Sequence, residues 1–123
     1  MAIKRILVVD DSATERHIIG ETLSKNGFVV TFAENGESGV SQAKLTKPDL
    51  VIMDIVMPGM NGFQATRAIC KDPLTEHIPV LICTTKDQET DKIWGLRQGA
   101  KDYVVKPINP TELLSKIELL GQA

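Results

Sequence analysis

Leu50-Val51-Ile52-Met53-Asp54-Ile55-Val56-Met57-Pro58-Gly59-Met60-Asn61-Gly62 decides the fold. Leu50–Met53 is apolar at every position, the pattern of a strand covered on both faces. Asp54 interrupts that run, and Ile55–Gly62, with one Pro and two Gly, reads as a loop. Working outward toward the N-terminus, Ile3–Val9 and Phe28–Ala33 read as strands. Between them, Ser12-Ala13-Thr14-Glu15 is a capping-box pattern opening a helix that Gly27 closes. Asn35-Gly36 starts a second helix running to about Leu45, and Pro48-Asp49 punctuates before the central strand. Toward the C-terminus, Phe63–Lys71 reads as helix three, Val80–Cys83 as strand four, Glu89–Gln98 as helix four and Tyr103–Val105 as strand five. Asn109 and Pro110 are an N-cap and a first helical residue. The last helix sets Leu113, Leu114, Ile117 and Leu120 on one stripe. Five strands alternating with five helices specify an α/β three-layer sandwich with a parallel sheet and right-handed crossovers.

Composition sets the outer bounds. The 123 residues are read as one domain over 1–123, with 42% apolar and 24% charged residues, a balance that needs no disulfide or metal to fold. Lys and Arg number 14 against 16 Asp and Glu, for a net charge of -2, so no basic excess is offered to nucleic acid. No apolar run approaches the ~18 residues of a membrane span. The N-terminal MAIKRILVVDD runs into two aspartates where a signal peptide needs a longer apolar stretch, so the expected location is cytoplasmic. Cys70 and Cys83 stand in no metal or redox spacing and are expected to be reduced thiols.

In parallel α/β sheets, ligands bind at the carboxyl ends of the strands. Those ends read Asp10-Asp11, Glu34, Asp54, Thr84-Thr85 and Lys106-Pro107. Each has an ordinary alternative: Asp11 could cap a helix, Thr84 could be a plain strand residue, Lys106 could snorkel from a strand end. Ser12 with Glu15 already supplies a cap, however, which leaves Asp10 without a capping role, and Asp54 precedes no helix. Clustered carboxylates repel, and a hard divalent cation relieves the repulsion. All-oxygen ligands favour Mg²⁺ over zinc. A carboxylate beside a metal, an ammonium and a hydroxyl is a phosphoryl-transfer constellation: the carboxylate attacks phosphorus and the others neutralise the equatorial oxygens.

Asp10-Asp11 after an apolar strand, Asp54 before Met57-Pro58-Gly59-Met60-Asn61-Gly62, Thr84, and Tyr103-Val104-Val105-Lys106-Pro107 together resemble the receiver domains of two-component response regulators. The resemblance implies a flavodoxin-like sheet in the order 2-1-3-4-5. It implies transfer of a phosphoryl group from the phosphohistidine of a partner kinase to Asp54. Asp11, Asp54 and the backbone carbonyl of Val56 would bind Mg²⁺ directly, and Asp10 mostly through water. Lys106 and Thr84 would contact the phosphoryl group, Tyr103 would change position as Thr84 moves, and the Lys106–Pro107 bond would be cis. Helix four, strand five and helix five would form the surface that meets a downstream protein. A narrower likeness rests on Thr84-Thr85-Lys86-Asp87-Gln88-Glu89-Thr90-Asp91-Lys92, Trp94-Gly95, Arg97-Gln98-Gly99-Ala100, Asp102-Tyr103 and Phe63-Gln64-Ala65-Thr66-Arg67. These are similar to the stand-alone receivers of type IV pilus twitching-motility systems, which implies a chemosensory histidine kinase as partner. Thr85 departs from the small residue usual in the family and would narrow access to Asp54.

Other functions compete. The chain is expected to lack an output domain, leaving a signal passed by protein contact. The same chemistry would serve a phosphate sink for a shared kinase. A Mg²⁺ phosphohydrolase of the haloacid dehalogenase type would need two aspartates spaced by one residue on strand one. A flavodoxin-like electron carrier would need a Gly/Ser/Thr-rich loop where Asp10-Asp11-Ser12 stands. Val56 and Lys86 are expected to flank the path of water to the phosphorus. Trp94 is a candidate partner anchor, and His17 and His77 have no ligand companion.

Overall fold

A computed structural model describes residues 2–85 and 89–122, without the side chains of residues 85 and 89–91; Lys86 therefore lies outside the described residues. Five strands, β1 (Arg5–Val9), β2 (Val29–Ala33), β3 (Leu50–Asp54), β4 (Val80–Thr85) and β5 (Asp102–Lys106), alternate with α1 (Ala13–Lys25), α2 (Gly36–Thr46), α3 (Gly62–Lys71), α4 (Glu89–Arg97) and α5 (Pro110–Gly121). The sheet is parallel, in the order β2-β1-β3-β4-β5. This is the flavodoxin-like sandwich expected from the alternation and the resemblance. Strand ends shift by a residue or two from the sequence reading: β1 begins at Arg5 and β5 extends over Asp102 and Lys106. α3 begins one residue earlier than Phe63, because Asn61 caps it and Gln64 returns a bond to the Asn61 amide.

Alternation along the strands divides the core into two layers. Leu7, Val9, Val51, Met53, Val80 and Ile82 face Ala43 of α2 and Ala65 and Ile69 of α3. Ile6, Val8, Leu50, Ile52 and Leu81 face Ile19 and Leu23 of α1 and Leu113 and Ile117 of α5. Leu114 and Leu120 pack at the margin of this second layer, completing the expected stripe. Every residue of β3 is buried, as an apolar strand with helices on both sides demands. α4 joins the first layer through Gly95, where an added Cβ would fall 2.0 Å from Ile82 Cδ1. Its Ile93, Trp94 and Leu96 remain exposed. Both cysteines are free thiols, Cys83 buried and Cys70 half-buried. Among the described residues, no helix is long and apolar enough to cross a membrane.

The parallel register brings the strand ends to one edge. β1 and β3 end side by side, with Val9 opposite Met53, and Asp54 lies opposite Cys83, one residue before Thr84. Thr84 in turn pairs with Val105, one residue before Lys106. Residues separated by 96 positions in the chain, Asp10 and Lys106, thereby become neighbours.

Candidate functional site

Asp10 and Asp54 are the buried acids of this edge, 1% and 7% exposed. A carboxylate this deep is tolerated only with partners. Lys106 Nζ supplies them to both, 3.0 Å from Asp10 Oδ2 and 3.1 Å from Asp54 Oδ1. Asp10 is held at every polar atom. Its amide donates to the Ala33 carbonyl, and its carbonyl accepts from Arg16 Nη1 at 2.6 Å. Its Oδ1 accepts from the Ser12 amide at 2.9 Å. This last bond corrects the sequence reading. Ser12 caps α1, its Oγ accepting from the Glu15 amide, but the Ser12 amide, which a full capping box assigns to the Glu15 side chain, bonds Asp10. Asp10 thus does have a local turn role alongside its place in the cluster.

Asp11 is exposed, and its carboxylate completes a group of three: Asp10, Asp11 and Asp54 each offer an oxygen, all within 4.8 Å of one another. Burial pushes the Asp54 carboxyl up to about 6; Lys106 pulls against this, and Asp10 and Asp11 push with it. Burial alone would lower the Lys106 ammonium, but the hydrogen bond to Asp10 and the charge of Asp54 outweigh it and hold Lys106 above its ordinary range. One cation shared between two buried acids satisfies itself more fully than it satisfies Asp54. The remaining excess of negative charge, presented by oxygens alone, suits a hard divalent cation such as Mg²⁺.

Thr84 is 2% exposed, and its Oγ1 has no hydrogen-bond partner. Thr84 stands near the end of β4, at the same sheet edge as Asp54 and Lys106, and an orphaned buried hydroxyl there is a donor without an acceptor. Val56 stands on the loop after β3 and is 70% exposed. The Lys106–Pro107 bond is cis, as the resemblance implies. Glu34, at the end of β2, is exposed and is not one of the three clustered acids. Sequence reasoning missed the double pairing of Lys106 and the Arg16 anchor. The first depends on sheet order; the second had a signal in the six-residue step from Asp10 to Arg16, which spans the turn and the first turn of α1.

The family profile of the response regulator receiver domain matches residues 6–118. The chain belongs to this family. The receiver is 59% identical over 113 residues to Protein PilH of Pseudomonas aeruginosa, covering 92% of this chain and 93% of that one. It is 38% identical over 115 residues to the phosphate regulon transcriptional regulatory protein PhoB of Escherichia coli; the match covers 94% of this chain and 50% of PhoB. The receiver domain of sensor histidine kinase PA1611 from Pseudomonas aeruginosa superposes with a TM-score of 0.90 at 27% identity, covering 99% of this chain and 100% of that one. That crystal structure has a magnesium ion coordinated in its active-site cleft. The receiver identity fits the two-component resemblance, and the observed strand order is the one it implied.

Proposed function

We propose that this receiver accepts a phosphoryl group on Asp54 from the phosphohistidine of a chemosensory kinase and signals through altered protein binding in the cytoplasm. What supports this reading is the buried Asp54 carboxylate with Lys106 at 3.1 Å, inside a cluster of three acids, and the unpaired Thr84 hydroxyl near the end of the neighbouring strand. A carboxylate oxygen of Asp54 attacks phosphorus, the nitrogen–phosphorus bond of the donor breaks, and an acyl phosphate forms. Lys106 transfers part of its pairing from the carboxylates to a phosphoryl oxygen, and Thr84 donates the hydrogen bond it lacks at rest. Asp10, Asp11, Asp54 and the Val56 carbonyl would hold Mg²⁺, which when bound supplies neutralisation of the charge gathered on the phosphoryl oxygens. The protein catalyses its own phosphorylation and dephosphorylation and turns over no external substrate.

Receiver domains take phosphoryl groups from histidine kinases and act on downstream targets. The finer role, control of type IV pilus twitching motility, is supported by the similarity to PilH and by the residues of α4 and the segment before it. The surface we assign to the target is α4, β5 and α5, with Trp94, 48% exposed, as an anchor. The test has two arms. Autophosphorylated chemosensory kinase should pass its label to the wild type and not to Asp54→Asn; a kinase that keeps its label in the presence of folded wild type contradicts the assignment of partner. Capture from the same cells with phosphorylated and unmodified protein then separates messenger from sink. A target enriched only by the phosphorylated form marks a messenger; kinase drained of label with no target enriched marks a phosphate sink.

A further inference from the structure

Tyr103 lies on the edge strand β5, half-buried against the layer that contains Ile82, its partner across the ladder. Thr84 follows Ile82 by two residues on β4, so Tyr103 and Thr84 share one face of the sheet. Two ammonium groups lie over the Tyr103 ring. Lys92 Nζ, from α4, is 5.0 Å from the ring centroid, and Lys116 Nζ, from α5, is 4.4 Å away. α4 packs on one face of the sheet and α5 on the other, so the two cations come to the ring from helices on opposite faces of the sheet, Lys92 from the ring's own face and Lys116 from the far one. A cation within about 6 Å of an aromatic centre is drawn to the negative face of the ring.

Lys116 is itself fixed. Its Nζ is 3.3 Å from Asp102 Oδ1 and donates to the Tyr103 carbonyl. Asp102 Oδ1 also accepts from the Tyr103 amide at 2.8 Å. Carboxylate, ammonium, main chain and ring are therefore tied together at one residue. We propose that Lys92 and Lys116 are positioning residues that clamp the Tyr103 ring and set how readily it leaves its place when Thr84 is drawn toward a phosphoryl group. This rests on the reading of Tyr103 as the aromatic that reports on Thr84. The clamp links α4 to α5 across the edge strand, so movement of the ring loosens both helices of the surface assigned to the target.

Tyr103 is the sole tyrosine of the chain, so fluorine-labelled tyrosine gives a single resonance that reports on this ring alone. Lys92→Met and Lys116→Met remove the charge and keep an apolar stem. Each should raise the population of the displaced ring roughly two- to fivefold, the loss of one cation–ring contact. Lys116→Arg should restore the wild-type resonance. Lys92→Met leaves the Asp102 pair intact and keeps the test open should Lys116→Met fail to fold. A resonance unchanged in the Met variants overturns the clamp, and if phosphorylation of Asp54 still moves it, Tyr103 keeps its reporting role. Conversely, a resonance that moves in the Met variants but not on phosphorylation, with the added phosphoryl group verified by mass, leaves the clamp standing and removes that role.

Discussion

An aspartate stands at each end of β3, and the fold treats the two in opposite ways. Asp49, just before the strand, accepts hydrogen bonds at 2.9 Å from the amides of both Lys4 and Arg5. The Arg5 amide bond, with smaller help from Lys4 and the charges of both side chains, outweighs burial and holds the Asp49 carboxyl below its usual range. Asp54, five residues on, is pushed up to about 6 by burial despite Lys106. The first carboxylate clips β3 to β1 and stabilises the native state. The second is held ionised at some cost to stability, in a place where only an incoming metal and phosphoryl group would complete its surroundings. The proposed function sits at the carboxyl edge of this sheet and stability at the amino edge, a division that natural proteins tolerate because stability need only exceed a threshold.

The largest expected effect comes from supplying what the carboxyl edge lacks. Mg²⁺ at one hundred times its dissociation constant should raise the unfolding free energy by about 2.7 kcal/mol through mass action. Calorimetric melts should show the same increment in Asp49→Ala, since the two ends are distant and independent. An increment that shrinks in Asp49→Ala would mean that the ends are coupled.

Next in size is Asp54→Asn without metal. Because the folded pKa lies above the unfolded value near 3.9, the native state binds the extra proton. Wild-type stability from this group is then intact below pH 4 and falls as pH rises through 6. The shift already contains the pull of Lys106, so Asp54→Asn should be the more stable by about 2 kcal/mol at pH 7.5. Urea melts across that range should show the advantage of Asp54→Asn shrinking toward zero at pH 4; a flat difference would sever the link to titration.

Asp49→Ala should do the reverse, costing about 1 kcal/mol at neutral pH as two amides lose their acceptor to water. Its folded pKa is depressed, so the contribution is present above the unfolded value and is lost as pH falls toward the folded one. The deficit of the variant should therefore narrow below pH 4, measured in the same melts.

The smallest effect belongs to Asp11→Asn. Asp11 is exposed, so solvent screens its repulsion of Asp54 and metal-free stability should rise by only about 0.5 kcal/mol. Its Mg²⁺ affinity, by titration calorimetry, should fall far more than its stability changes. Equal changes in both would place Asp11 outside the metal site.

Much of this was legible in the residues. The all-apolar Leu50–Met53 run announced a doubly covered strand, and the caps at Ser12, Asn35 and Asn109 are where the chain signalled them. Asp54 was conspicuous because a charge in such a run needs a reason. Asp49 carried no comparable signal beside Pro48: its partners lie 44 and 45 residues away, and only the β1–β3 pairing brings them together. The same holds for Lys106, whose dual role depends on β5 lying beside β4 and not on anything near it in sequence. The clamp of Lys92 and Lys116 on Tyr103 was hidden for a further reason, since lysines on helices read as solvated charge until the edge strand brings a ring within reach of both.

The contrast between the two aspartates is tested most directly at Asp54 itself. Wild-type protein, incubated with Mg²⁺ and a small acyl phosphate donor, should gain the mass of one phosphoryl group in intact mass spectrometry. Asp49→Ala should gain it equally, and Asp54→Asn should gain none. Equal labelling of Asp54→Asn, or no labelling of folded wild type under conditions that label other receivers, would contradict the assignment.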